Sequence, residues 1–148
     1  MHIRQKVIEK FEAILETIVQ SDRISKTMRP IISDTQGVFS VNTFEETVNV
    51  RSRDVGTPVY YQRELKVGID IAIANTEQTN RFLIHDLCQI VEEAIADEDE
   101  DLGGLVDDHT LVGFDVEHSN DSAQTLVGTI TYVVDYTTLA TDVSQNTT

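Results

Sequence analysis

Apolar residues recur along this chain with two distinct periods. From residue 3 to about residue 20 they are spaced by three and four, and charged residues fall between them. This pattern predicts a helix with one buried and one solvated face. Residues 59–74 alternate with period two instead, which predicts a long strand with one buried face. The residues predicted to share the apolar face of that strand are Tyr61, Leu65, Val67, Ile69, Ile71 and Ile73.

Between these two elements the pattern is weaker. A short strand is predicted near Met28–Ile32, and Pro30 would place it at a sheet edge because proline cannot donate a ladder hydrogen bond. A further strand is predicted at Phe44–Arg51, where Val48 and Val50 alternate with polar residues. A turn would then lead the chain into the long strand.

The rest of the chain gives one helix and two strands. The helix is predicted from about Gln78 to Ala96, and the strands at Leu111–His118 and Gln124–Thr137, joined as a hairpin. The buried stripe of the helix would consist of Leu83, Leu87, Ile90, Val91 and Ala94. The inward residues of the strands would be Val112, Phe114 and Val116, then Leu126, Ile130, Tyr132, Val134 and Tyr136.

Together these elements predict an α+β fold. Hairpin connections make the sheet mainly antiparallel, with four to five strands, and the two helices pack on one face of it. Residues 1–138 would form a single domain, since their number suits one hydrophobic core. The polar residues 139–148 are expected to be a flexible tail.

The charge balance narrows the choice of partners. The 148 residues include 26 acidic and 11 basic side chains, for a net charge of −15. Such a field repels phosphates, which excludes holding nucleic acid through net charge, and it argues against docking on an anionic membrane. Many acids with only four lysines are also expected in near-saturated salt, where the Debye length is about 3 Å or less. Two interpretations follow: a protein of an extreme halophile or its virus, or an ordinary acidic protein.

No residue pattern supports catalysis. Nucleophile-elbow, Walker and zinc-protease motifs are missing from the sequence. The single cysteine, Cys88, allows no internal disulfide, and no apolar run approaches the 18 residues typical of a membrane span. His85, Cys88 and Glu92 lie within two helical turns, but no second ligand pair accompanies them, so Cys88 is interpreted as a small apolar residue at the rim of the stripe. We therefore expect no enzyme, no cofactor and no metal.

The acidic segment 97–108 has a spacing typical of a calcium loop. The carboxylates at offsets 1, 3, 5 and 12 are Asp97, Asp99, Asp101 and Asp108. Leu102 stands at offset 6, where such a loop needs glycine, and offset 12 lacks the longer glutamate that chelates with both oxygens. A solvated acidic loop is therefore the preferred interpretation.

A basic and aromatic group interrupts the acidity at the predicted tip of the first hairpin. It consists of Arg51, Arg53, Tyr60, Tyr61 and Arg63. Arginine and tyrosine are enriched at interface cores, so this tip is a candidate contact for an acidic partner surface, including a neighbouring copy of the chain. The alternative is a plain solvated hairpin end.

The order of elements is itself informative. An amphipathic helix, Ile3–Val19, precedes a strand-rich middle that ends in the long strand Val59–Ala74. A second helix, Gln78–Ala96, precedes a hairpin that closes with Gly128–Thr137. Over residues 3–138 this arrangement resembles the tail terminator, or tail-completion, proteins of tailed bacteriophages and tailed archaeal viruses.

The resemblance implies a virion protein, assembled in the host cytoplasm, that forms a ring, usually of six copies. Such a ring caps the tail tube, stops its polymerisation and presents a surface to the head-side connector, while DNA passes through the lumen. It implies no catalytic residues. A lumen lined with carboxylates would let DNA slide, because it cannot grip phosphates. In a head-to-tail ring the basic tip would meet the acidic segment, with Asp97, Asp99 and Asp101 as contact candidates.

Two other classes stay open. One is another neck or connector protein of the same virion, such as a head-completion or stopper protein, which differs in partner more than in fold. The other is a small cytoplasmic enzyme or ligand-binding domain on an α+β scaffold. A closed apolar pocket with convergent polar groups would favour that second class.

Overall fold

Two α-helices, five strands and one short 3-10 helix (Ser21–Arg23) form the regular structure of the described part of the chain. The computed structural model describes residues 1–25, 37–50, 58–74, 80–118 and 125–147. In chain order the elements are α1 (Ile3–Glu16), β1 (Ile24–Ser25), β2 (Val38–Val50), β3 (Tyr60–Ala74), α2 (Asn80–Ala96), β4 (Asp108–His118) and β5 (Thr125–Leu139). The strand predicted near Met28–Ile32 lies outside the described residues, and so do Arg51 and Arg53.

The strands form one sheet in the order β1-β2-β3-β5-β4. The two-residue strand β1 runs parallel to β2, and all other neighbours are antiparallel. Helix α1 packs on β2, and α2 packs on β3, β5 and α1, so both helices cover the same face. The predicted α+β class, with a mainly antiparallel sheet under two helices, is confirmed.

The two central strands supply most of the core, as their alternation predicts. Every second residue of β3 from Leu65 to Ile73 is at most 1% exposed. The inward residues of β5, from Leu126 to Tyr136, are at most 3% exposed. Each such side chain contributes about 1.5–3 kcal/mol by burial, so these two strands fix which face of the sheet the helices cover.

Strand β2 begins at Val38, six residues before the predicted start at Phe44. Its first residues pair with the end of β3, and Phe39 and Val41 are buried opposite Ile71 and Ile69. A bulge at Phe44 then breaks the alternation, since Thr43 pairs with Val67 and Glu45 with Lys66. The bulge explains why a period-two pattern identifies only the second half of this strand.

Helix α2 is rotated relative to the predicted stripe. Its buried residues are Ile84, Cys88, Val91 and Ile95. The prediction was right for Val91 and wrong for Ile90, which is 46% exposed. Apolar residues occupy a wide arc of this helix, so their spacing does not fix the centre of the buried face. The close approach of Ile84 to Gly128 on β5 decides it.

Strand β4 starts at Asp108 and differs most from its prediction. Val112, expected to point inward, is the extra residue of a bulge between Leu111 and Gly113 and is 54% exposed. Phe114 is 38% exposed, and Val116 is half-buried against the core. Since β4 is the edge strand and α2 lies over β3 and β5, the inward face of β4 is only partly covered.

The C-terminal residues fold back on the domain. The N–H of Ile3, a free donor at the start of α1, donates to the carbonyl of Val143 at 3.0 Å. Thr137 of β5 donates to Asn146 Oδ1 at 3.0 Å, and its carbonyl accepts the N–H of Thr147 at 2.8 Å. The polar composition of the expected flexible tail, 139–148, does not predict these contacts.

Candidate partner-contact surfaces

The predicted basic and aromatic tip is only partly described. Tyr60, Tyr61 and Arg63 lie at the start of β3, where both tyrosines are half-buried. The guanidinium carbon of Arg63 lies 5.6 Å from the centre of the Tyr61 ring, a cation–π contact. The Arg63 side chain is 11% exposed, so most of its surface is engaged within the chain.

Arg63 belongs to a network centred on Glu46 of β2. Glu46 Oε1 lies 3.5 Å from Arg63 Nη1 and accepts the hydroxyl hydrogen bond of Tyr136, and Oε2 lies 3.4 Å from Arg4 Nη1. Arg63 Nε donates to Thr138 Oγ1 at 3.0 Å. Burial, and then the hydrogen bond to Glu46, raises the pKa of Tyr136, so its hydroxyl stays a donor. The network ties α1 to three strands.

The acidic segment 97–108 folds as a series of turns. The three predicted contact candidates, Asp97, Asp99 and Asp101, are exposed. Leu102 adopts a left-handed backbone, with φ of 53°, and its side chain is buried in the core. Within the described ranges no three His, Cys, Asp or Glu side chains are grouped to hold a metal ion.

The turns bring together a different set of acids. A groove of about 520 Å³ runs between the C-terminal half of α2 and the first residues of β4; we call it the α2–β4 groove. Its polar lining includes Glu92, Glu98, Glu100, Asp108, His109 and Tyr132, and its apolar lining includes Ile95 and Leu111. Three carboxylates, those of Glu92, Glu98 and Glu100, therefore lie along one concave surface, whereas the Asp108 side chain belongs to the opposite face of the sheet, beside Asp135.

Hydrogen bonds hold one side of this groove. The Glu100 carbonyl accepts from His109 Nδ1 at 2.9 Å, which assigns a proton to that ring nitrogen. Asp108 Oδ1 accepts the N–H of His109 at 2.8 Å. Glu98 lies 3.7 Å from Lys10 Nζ, whereas Glu92 and Glu100 form no ion pair within the described part of the chain. Their negative charge is therefore available in the groove.

Tyr132 lines the groove from the sheet side. Its side chain is 3% exposed, and its ring lies 5.7 Å from the Phe11 ring and 6.4 Å from the His109 ring. The Tyr132 hydroxyl makes no hydrogen bond with any described residue. Among the described residues, every side-chain polar atom that is shielded from solvent has a hydrogen-bond partner, so this hydroxyl must be in contact with solvent. It is therefore reached through the groove. Burial, then the charge of Glu92, raises its pKa, so it remains protonated.

Cys88 lies inside the stripe of α2 rather than at its rim, and is 5% exposed. Burial, with a smaller effect of the Glu92 charge, raises the pKa of its thiol to about 12. A thiolate is the nucleophilic form of cysteine, so this thiol is inert at neutral pH. Cys88 is a core residue, and the rim placement was wrong because the stripe is rotated.

The edge strand β4 carries an apolar surface beside the groove. Leu111, Val112 and Phe114 are 46%, 54% and 38% exposed. The Phe114 ring lies 5.6 Å from that of His85 on α2. Strand β4 pairs with β5 on one side, and no other described strand pairs with it. An exposed edge with apolar side chains is the kind of surface that a partner covers.

Sequence reasoning missed the groove. Glu98 and Glu100 alternate with the candidates Asp99 and Asp101, and only the turn geometry selects which of them line the groove. Tyr132 was the residue from which the groove could have been inferred. It was predicted to point into the core, where a tyrosine hydroxyl usually finds a hydrogen-bond partner.

No protein-family model matches this sequence, and no curated protein matches it. In the described residues, neither helix has the length and apolarity needed to cross a membrane.

Proposed function

We propose that this chain is a tail terminator of a tailed virus. In this function it is a virion structural protein that forms a ring, caps the tail tube and joins it to the head-side connector, with DNA passing through the lumen. Its partners are further copies of itself, the tail tube protein and the head-side neck proteins. The observation that carries the proposal is the architecture, a mainly antiparallel sheet with two helices on one face. The proposal rests on the resemblance of this order of elements to that class.

The flanks of the sheet support ring assembly. A head-to-tail ring needs two different surfaces on each copy, because each interface joins one patch to another. The β4 edge and the α2–β4 groove lie at one edge of the sheet, and β1 and β2 lie at the other. Because the two edges are formed by different strands, they can serve as the two patches of a head-to-tail interface.

The face of the sheet opposite the helices is compatible with DNA passage. Glu64, Asp135 and Asp108 are cross-strand neighbours on β3, β5 and β4 and form a row of three acids on that face. A lumen surface of this kind repels phosphate groups, and Lys66, the base beside Glu64 on this face, is paired with Glu45 at 3.0 Å. Such a surface favours free movement of DNA over tight binding.

The native mass in molar salt tests this proposal. Six chains of 16.6 kDa give a mass of about 100 kDa by light scattering. Negative-stain images should show rings with a central hole. Monomers at high protein concentration and high salt would contradict the proposal. Mass measured over a dilution series separates a closed ring, whose size stays fixed, from open aggregates that grow with concentration.

The closest alternative is another neck or connector protein of the same virion. It would share the ring and differ in its partner, so the discriminating measurement is co-purification. A tail terminator co-purifies with tail tubes, whereas a head-completion or stopper protein co-purifies with empty heads. The ligand-binding alternative predicts a closed apolar pocket, and the α2–β4 groove is lined by the carboxylates of Glu92, Glu98 and Glu100 instead.

A further inference from the structure

Helix α1 begins at a histidine that acts as its N-cap. His2 Nδ1 accepts a hydrogen bond from the backbone N–H of Arg4 at 3.0 Å and another from Arg4 Nε at 3.2 Å. The backbone N–H of His2 donates to Gln5 Oε1 at 3.2 Å, which completes a capping box. Because Nδ1 accepts with its lone pair, this cap exists only while that nitrogen is unprotonated. A protonated imidazole is a donor at both nitrogens and cannot accept the Arg4 N–H.

The charges around His2 also favour its neutral form. The guanidinium of Arg4, the amino terminus of the chain and the positive end of the α1 dipole all oppose a second positive charge at this position. Arg63 of β3 acts in the same direction, whereas Glu46 of β2 acts against it. Burial of the ring, followed by the Arg4 charge, lowers the pKa of His2 below its ordinary value of 6.5. Protonation of His2 is therefore coupled to loss of the cap.

The first turn of α1 anchors the C-terminal segment 142–147. The N–H of Ile3 donates to the carbonyl of Val143 at 3.0 Å, and Lys6 Nζ donates to the carbonyl of Ser144 at 2.6 Å. Ile3 is fully buried, so its contact with the segment belongs to the packed part of the domain. Loss of an N-cap destabilises the turn that it caps. Fraying of this turn would therefore loosen both anchors.

The same segment completes the edge of β5 beyond the start of β4. Strand β4 begins opposite Asp135, and the N–H of Asp107 donates to the Asp135 carbonyl at 2.7 Å. Two residues further along β5, the N–H of Thr137 donates to Asn146 Oδ1 at 3.0 Å. The carbonyl of Thr137 accepts the N–H of Thr147 at 2.8 Å. The segment thus continues the line of β4 at this end of the sheet, and its departure would uncover the strand edge there.

We propose that His2 is a pH-sensitive latch on the C-terminal segment. When the imidazole takes up a proton, the cap is lost, the first turn of α1 frays, and residues 142–147 leave the edge of β5 more often. Hydrogen bonds from the hydroxyl and N–H of Ser144 lower the pKa of Asp142 below its ordinary value of 3.8. The turn at Asp142 therefore stays intact while His2 titrates, and the opening starts at the helix.

Hydrogen exchange of the full chain, with its native N-terminus, tests the latch. Protection factors, which correct for the intrinsic pH dependence of exchange, are compared at about pH 7.5 and about pH 5, on either side of the histidine titration. They should fall about five- to tenfold at acid pH for the amides of Ile3, Thr137 and Thr147, the range that loss of an N-cap produces. The amide of Ile69, in the centre of β3, should keep its protection. Unchanged protection at Ile3 and Thr137, or an equal loss at Ile69, would overturn the latch.

Substitutions of His2 separate the cap from the proton. His2→Asn keeps a side-chain acceptor suited to an N-cap but does not titrate, so Ile3 and Thr137 should stay protected at about pH 5. His2→Ala removes the acceptor, so their protection should be reduced at both pH values. The matched control, His85→Asn, removes a histidine of α2 that lies beside Phe114, and it should respond to pH like the wild type. A pH response that persists in His2→Asn, or disappears in the control, would overturn the assignment to His2.

Titration of the His2 ring by NMR provides a second readout. The midpoint should lie below 6.5 in the folded chain and return towards 6.5 in denaturing urea, because only the folded chain uses Nδ1 as an acceptor. A midpoint at or above 6.5 in the folded chain would show that the start of α1 accommodates the protonated ring. That result would overturn the latch even if the exchange of Ile3 depended on pH.

Discussion

The row of acids across β3, β5 and β4 is the residue-scale feature with the clearest energetic consequence. Asp135 lies between Glu64 on one neighbouring strand and Asp108 on the other. Burial raises the pKa of its carboxyl, and the charges of Glu64, Asp108 and Asp107 raise it further. Like charges opposite each other on a sheet are destabilising, so this row opposes folding when its members are ionised.

Asp135→Asn should therefore stabilise the protein at neutral pH. We expect a gain of about 0.5–1.5 kcal/mol in dilute buffer, from two like-charge pairs removed, measured by urea unfolding. The gain should shrink in molar salt, where the pairs are screened. Asp115→Asn is the matched control, since Asp115 faces Thr129 rather than an acid, and it should leave stability almost unchanged.

The pH dependence of the stabilisation by Asp135→Asn follows from the direction in which the pKa of Asp135 is shifted. A carboxyl whose folded pKa is raised destabilises the fold once it is ionised, and the penalty is absent when it is protonated in both states. The stabilisation by Asp135→Asn should therefore be full above the raised pKa of Asp135 and vanish as the pH falls below 3.8, the ordinary value for this carboxyl. A gain that persists at low pH would contradict this cause.

At the scale of secondary-structure elements, the feature with the clearest energetic consequence is the close packing of helix α2 on strand β5. An added Cβ at Gly128 would lie 3.0 Å from Ile84 Cγ1 and 3.2 Å from Phe114 Cε2. A glycine at this position lets the helix approach the sheet, and that approach sets the rotation of α2. It also explains why Ile84 and Cys88 are buried while Ile90 is not.

Gly128→Ala should destabilise the protein by about 1–3 kcal/mol, because Ile84 or the whole helix must shift to admit the methyl group. Gly68→Ala is the matched control in the neighbouring strand. Its Cβ would lie 3.4 Å from Phe44, an exposed side chain, so the change should be neutral or slightly stabilising. Urea unfolding of both variants measures the difference in stability. Equal effects would show that the strand propensity of alanine, rather than the space beside Gly128, determines the change in stability.

Charge dominates at the scale of the whole molecule. A net charge of −15 repels itself in dilute buffer and is screened when the Debye length falls to about 3 Å. Nine of the 26 acids fall within residues 92–108, around the α2–β4 groove. The penalty that charge repulsion imposes on folding is therefore concentrated on one flank of the molecule.

Transfer from dilute buffer to molar KCl should raise the melting temperature by about 4–8 °C, the shift that about 2 kcal/mol produces in a domain of this size. Calorimetry or circular dichroism measures it. An unchanged midpoint would contradict the halophilic interpretation and favour an ordinary acidic protein. Asp135→Asn should show a smaller shift than the wild type, because part of its repulsion is already removed.

The sequence determined the elements whose burial is one-sided and regular. Helix α1 and strands β3 and β5 each present one apolar face, so period alone located them and named their core residues, from Leu65 to Ile73 and from Leu126 to Tyr136. The α+β class followed from their order. Local spacing is sufficient here because burying the alternative face would expose every apolar side chain at once.

Only the tertiary structure decided the rest. The bulges at Phe44 and Val112, the rotation of α2 and the exposure of β4 depend on contacts between distant residues, which no local period records. The α2–β4 groove is the sharpest case. Its carboxylates come from a helix and from the turns that follow it, and the choice of Glu98 and Glu100 over their neighbours is made by backbone geometry rather than by residue type.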